Sequence, residues 1–128
     1  MIKRNNPGNI RATSTKWLGE NTPKGEAFCH FRDLLYGCRA MLKLLKRYID
    51  VKECNTIRKV VSRWAPPSEN NTRSYIDYVA RSMDTHPDDD LVVDKDTLIR
   101  LASAMTWMEH GQAIPRNTWE KAFNMILR

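Results

Sequence analysis

Cysteine is scarce and odd in number: Cys29, Cys38 and Cys54, with no metal-ligand spacing among them. An odd set without that spacing points to buried free thiols in a chain made in a reducing cytoplasm. The three histidines, His30, His86 and His110, do not group into a metal site. No apolar run approaches membrane-spanning length, so no membrane span is expected. The opening Met1-Ile2-Lys3-Arg4-Asn5-Asn6 leads into no signal-like apolar stretch, so synthesis without a signal peptide is expected. Asp88-Asp89-Asp90 lacks the alternating ligands and central glycine of a calcium loop, and reads as solvated and helix-capping. Internal repeats and low-complexity segments are absent.

What is present fits one domain of 128 residues, long enough to bury most of its apolar side chains in one core. Charge is uneven. Residues 1–81 carry sixteen Lys/Arg against seven Asp/Glu, and residues 82–128 carry five against eight. A basic face suits any polyanion, whether nucleic acid, lipopolysaccharide or wall polymer, and so selects no function by itself.

Asn5-Asn6-Pro7-Gly8-Asn9 is turn chemistry, followed by a short strand candidate from Ile10 to Thr13. Residues 14–27 hold two Gly, one Pro and small polar residues, which makes them loop. Phe28-Cys29-His30-Phe31 is the second strand candidate, so residues 9–32 read as a small irregular β lobe. From Asp33 the period becomes helical. Leu34, Cys38, Met41, Leu42, Leu45, Tyr48 and Ile49 form one stripe opposite Arg39, Lys43, Lys46 and Arg47. Asn55 can cap a shorter helix with Ile57, Val60, Val61 and Trp64 inward, stopped by Pro66-Pro67. Asn71 or Thr72 begins the next, with Tyr75 or Ile76, Val79 and Met83 toward the core. Asn117 can cap a last helix carrying Trp119, Ala122, Phe123 and Ile126. The expectation is a mainly α fold of about five helices (residues 33–128) with the small N-terminal lobe.

Function centres on the helix between Asp94 or Asp96, either of which can cap its start, and Gly111, which can end it. Leu98, Ala102, Met105 and Glu109 are spaced by four, three and four, so they share one face. A carboxylate therefore sits on the apolar side of a last helical turn. The carbonyl end of the helix dipole and an apolar surround both favour the neutral acid, the form from which a general acid works. A Glu paired to an Arg, or turned outward, is the structural alternative.

Arg4 through Arg11, Trp17-Leu18-Gly19, Phe28 through Phe31 and Gly37-Cys38-Arg39-Ala40 resemble a family of phage and prophage proteins. Its members are variously labelled virion structural proteins or peptidoglycan hydrolases. The resemblance continues through Thr56-Ile57-Arg58, the run Arg63 to Thr72, Tyr75-Ile76, Ala104-Met105 and Glu109-His110-Gly111, covering nearly the whole chain. A more distant similarity links the Glu-x-Gly helix end and the Asn-rich lobe to lysozyme-like glucosaminidases and lytic transglycosylases. There the lobe follows the catalytic helix, whereas here it precedes it. The similarity implies an α+β lysozyme-like domain over residues 1–128, circularly permuted, which surface-lying termini permit.

By that resemblance Glu109 is the general acid in cleavage of the peptidoglycan glycan strand. No metal or organic cofactor is implied. Glu20 and Glu26 are the lobe candidates for a second carboxylate, which a retaining or inverting glycosidase needs at roughly 5 to 9 Å. Each also reads as a solvated loop residue. A lone Glu suits a lytic transglycosylase, where one group serves as acid and then base. Asn5, Asn6 and Asn9 can bond sugar hydroxyl or acetamido groups, or merely shape the turn. Arg11 can meet a peptide-stem or lactyl carboxylate, and Trp17 can stack on sugar. Tyr75 faces either a groove beside Glu109 or the core. Trp64 and Trp119 read as core. The partners implied are peptidoglycan and other virion proteins, with the wall reached through phage lysis, a virion or an injection system. A non-catalytic virion or wall-binding protein is the rival. A nucleic-acid binder lacks any helix-turn-helix or zinc signature, so nucleic acid is not an expected partner.

Overall fold

Five helices carry the chain, as the periodicity predicts. In a computed structural model, which describes residues 1–68 and 70–127, they are α1 (Leu34–Asp50), α2 (Ile57–Trp64), α3 (Thr72–Ser82), α4 (Lys95–His110) and α5 (Arg116–Ile126). Four starts are fixed by an acceptor side chain on a first-turn amide: Asp33 on Tyr36, Thr56 on Lys59, Asn71 on Ser74 and Asp94 on Thr97. Gly111 closes α4 at φ 65°, the left-handed residue that lets the chain leave.

Two caps differ from expectation. Thr56, not Asn55, caps α2 by accepting from the Lys59 amide. Asn55 is drawn away by Asp90, whose carboxylate accepts its side-chain amide at 3.0 Å. At α5 the capping position is Pro115, with no side-chain cap, and Asn117 lies inside the helix. Asp88, read from the sequence as solvated and helix-capping, stays exposed and takes a two-point bond from Arg58 at 2.7 and 3.2 Å.

The apolar faces merge into one core. Met41, Leu42 and Leu45 of α1, Leu98, Leu101 and Met105 of α4, and Trp119 of α5 are fully enclosed. Here α1 runs along α5, α4 packs on α1, α3 and α5, and α2 rests on α3. The cysteines are free and buried. Among the described residues, no helix is long and apolar enough to cross a membrane.

The N-terminal lobe is looser than the strand expectation. Its antiparallel pairings are single bridges, Arg11 with Phe28 and Glu20 with Phe31, and no strand forms among the described residues. The cause is local. Arg4, Asn5 and Asn9 adopt positive φ, so the chain keeps turning up to the residue before Ile10 and only a short extended segment follows. The buried Asn6 side chain then substitutes for a ladder. Its amide donates to the Ile10 and Cys29 carbonyls at 3.0 Å each, and its oxygen accepts the Ile10 amide at 2.9 Å. Phe31 and Arg32 close the lobe through backbone bonds to Arg4 and Gly19. The lobe packs beside the C-terminal end of α4, where His110 Nε2 meets the Asn6 carbonyl at 2.9 Å.

Candidate functional site

Glu109 stands in the last turn of α4, half-buried, with its side chain held from two directions. Asn9 donates its amide to Oε1 at 2.8 Å, and the Tyr75 hydroxyl donates to Oε2 at 3.0 Å. Three separate segments thus meet: the lobe turn, α3 and α4. Tyr75 is buried, and its hydroxyl also lies 3.4 Å from the Met105 carbonyl. Burial, then the neighbouring Glu109 charge, pushes the phenol well above its ordinary range, so Tyr75 stays a neutral donor. Both donors on the carboxylate are therefore uncharged.

The site opens into a hollow of about 160 Å³ between Glu109, Asn9, Gly8, Arg11, Phe28, Trp64 and Asn70. A second hollow of about 470 Å³ shares Asn9, Arg11 and Trp64 with it and extends to Trp17, Tyr48, Arg47 and Arg63. The two hollows adjoin at these shared residues and make up the groove, of which Glu109 lines only the smaller part. The Trp64 indole donates to the Gly8 carbonyl at 2.8 Å, fixing the ring as the wall between the two spaces. Gly8 cannot carry a side chain there. An added Cβ would lie 2.7 Å from Trp64 Cζ2. Arg11 lies over the Phe28 ring at 5.0 Å, and Arg63 over the Tyr48 ring at 5.4 Å.

Four of the residues singled out from the sequence converge on the groove: Glu109, Asn9, Arg11 and Trp17, with Tyr75 directly behind Glu109. Three do not. Asn6 is fully enclosed with both polar atoms used inside the lobe, so it faces no ligand. Glu26 is exposed and lines neither hollow.

Glu20 is not the solvated loop residue expected. Its side chain is 1% exposed. It accepts from the Trp17 amide at 3.0 Å and the Thr22 hydroxyl at 2.6 Å. Burial pushes this carboxyl up. The bonds from Thr22 and Trp17 and the Lys16 charge outweigh that, and hold it below its ordinary range. It organises the lobe.

Trp64, Tyr48, Arg47 and Arg63 are groove residues that pattern alone did not mark. Trp64 shares its helical phase with Ile57 and Val60, yet the ring is only half-buried because α2 ends there. The Trp-Ala-Pro-Pro run, which stops a helix immediately after an aromatic, was the available signal. Among the described residues, no three or more His, Cys, Asp or Glu gather to hold a metal ion.

No family model matches this chain. Over 114 residues it is 32% identical to Protein P5 of Pseudoalteromonas phage PM2, an alignment covering 86% of this chain and 70% of that protein.

Proposed function

The chain belongs to the family of the phage PM2 Protein P5, and we propose that it cleaves the glycan strand of bacterial peptidoglycan at a β-1,4 bond between amino sugars. The observation that carries this is Glu109 itself, a carboxyl at a helix end, gripped by Asn9 and Tyr75 and facing a groove lined by aromatic and cationic side chains. A general acid must be oriented before it meets the oxygen it protonates, and two neutral donors supply that orientation without neutralising the group. Glu109 gives its proton to the leaving glycosidic oxygen. In the lytic transglycosylase form, the same carboxylate then takes a proton from a sugar hydroxyl that closes onto the anomeric carbon. In the hydrolytic form, water attacks instead. The lobe before the Glu-bearing helix is the arrangement a circularly permuted lysozyme-like domain would have.

The test is incubation of the purified chain with sacculi, with soluble products separated by mass. Muropeptides, in hydrated or anhydro form, are expected, and their mass difference of one water separates the two routes. Intact sacculi after exposure to every common wall chemistry would instead favour a non-catalytic virion protein that keeps the groove for adhesion.

A further inference from the structure

A neutral amino-sugar strand needs no cations, yet the wider hollow beside Glu109 is lined by three arginines, Arg11, Arg47 and Arg63. Arg47 comes from α1 and Arg63 from α2, so their convergence is not the charged face of one helix. Arg63 is steadied over the Tyr48 ring, and that ring packs edge-on against Trp64 at 5.4 Å. Planar guanidinium groups suit carboxylates, which they grip with paired hydrogen bonds. The hollow adjoins the space at Glu109 through Asn9, Arg11 and Trp64, so it is the neighbouring space open to the acyl substituents of a strand lying at the carboxyl. On peptidoglycan those substituents are lactyl-linked peptides that carry free carboxylates.

Resting on the glycan-cleavage proposal, we propose that Arg47 and Arg63 form a subsite for the carboxylate-bearing peptide stem, which makes the protein select strands whose stems carry free carboxylates.

The experiment uses sacculi from a wall without phosphate polymers, either intact or with their stem carboxyls capped as neutral amides by carbodiimide and ethanolamine, which keeps the cross-links and so the pellet. Binding is measured by pelleting the full chain bearing Glu109→Gln, and cleavage is measured separately with wild type. Intact sacculi should bind tenfold or more tightly than capped ones, as the loss of charge-assisted bonds implies. Adding Arg47→Gln and Arg63→Gln should bring the two affinities together. The corresponding Lys pair should restore part of the gap, which a damaged fold would not do. Equal binding to both substrates by the Glu109→Gln chain, or a gap that survives the double Gln substitution, overturns the subsite. Absence of cleavage on both substrates sinks the cleavage proposal alone, since the binding gap still decides the subsite.

Discussion

Asn9 and Glu109 lie 100 residues apart and are joined by a 2.8 Å hydrogen bond from the Asn9 amide to Glu109 Oε1. The bond links the turn that begins the lobe to the end of the helix that closes the core. It makes the geometry of the carboxyl depend on the lobe being folded. Asn9 takes positive φ to reach it, a conformation asparagine tolerates better than most residues.

Glu109→Gln separates chemistry from architecture. A glutamine can accept from Asn9 through its oxygen and donate to the Tyr75 hydroxyl through its nitrogen, so both contacts survive. The melting temperature should therefore move by less than the equivalent of about 1 kcal/mol. Release of soluble wall fragments should fall roughly a hundredfold or more, because an amide has no proton of suitable acidity to give. A variant that melts early and keeps full activity per folded molecule would mark Glu109 as structural.

Tyr75→Phe tests the second grip. The ring stays in the core and only the hydroxyl leaves, so the expected stability loss is about 1 kcal/mol. Freed on one side, the Glu109 carboxyl can rotate away from the glycosidic oxygen. The turnover rate should fall roughly tenfold while half-saturation by sacculi stays near the wild-type value, a split that separates positioning from binding. Steady-state rates over a range of sacculus concentrations supply both numbers.

How much of this was visible in the chain depends on whether the cause is local. The Leu98-Ala102-Met105-Glu109 face and the Gly111 stop are short-range facts, and α4 follows them closely. Asn55 and Thr56 are both acceptable caps, and what chose between them was Asp90, 35 residues further on. The lobe differs from the strand expectation because the Asn6 side chain replaces a ladder, bonding Ile10 and, 23 residues away, Cys29, which no alternation of apolar residues reports. The wider hollow is assembled from the lobe, α1 and α2, so Arg47, which the periodicity puts on the charged face of α1, meets Arg63 only through the packing of the two helices.

Trp17 and Trp64 both line the groove but should fail differently. Trp17 is half-buried in a loop and packs on the core edge, so Trp17→Ala should cost about 1–2 kcal/mol of stability while clearly weakening retention on sacculi. Trp64→Ala also removes the bond to Gly8 and the wall between the hollows, and should cost ~3 kcal/mol or more. Thermal melts beside pelleting assays distinguish the two. Equal stability losses would mean that Trp17 belongs to the core rather than the groove.

Acid and alkaline stability have different owners. Glu20 has a carboxyl held below its ordinary value of 4.5, so its contribution is fully present above that pH. It is lost as pH falls through the lower, folded value. Glu20→Gln should lower the melting temperature near neutrality by the equivalent of ~1–3 kcal/mol and flatten the acid limb. On the other side, burial pushes the Cys29 thiol up to about 11 and the Cys38 thiol up to about 12, from 9.0. Raised values act in the opposite sense. Their contribution is present below pH 9 and is lost as pH climbs toward 11–12. Thiol-reagent labelling at pH 8 should be slow for both in the native chain and rapid in denaturant.

Gly37→Ala is the substitution with the most counter-intuitive sign. In most helix interiors this exchange stabilises by up to about 1 kcal/mol, because alanine has less backbone freedom to lose. Gly37 lies in the first turns of α1 under the Asn5 backbone, however, and an added Cβ would run into the Asn5 carbonyl and come within 2.9 Å of Pro7 Cδ. The turn has little room to retreat. The Asn5 side chain donates to the Phe31 carbonyl at 3.0 Å, and the Asn6 amide is bound to Lys3 at 3.0 Å. Overpacking of this kind costs about 1–3 kcal/mol, so Gly37→Ala should lower the melting temperature instead of raising it. Any shift of residues 5–7 is also carried to Asn9, two positions on, and loosens its hold on Glu109. Wall-fragment release per folded molecule should therefore drop as well, although Gly37 lines neither hollow. A melt equal to wild type would show that the turn yields easily, and that Asn9 is not held by the packing of α1 beneath it.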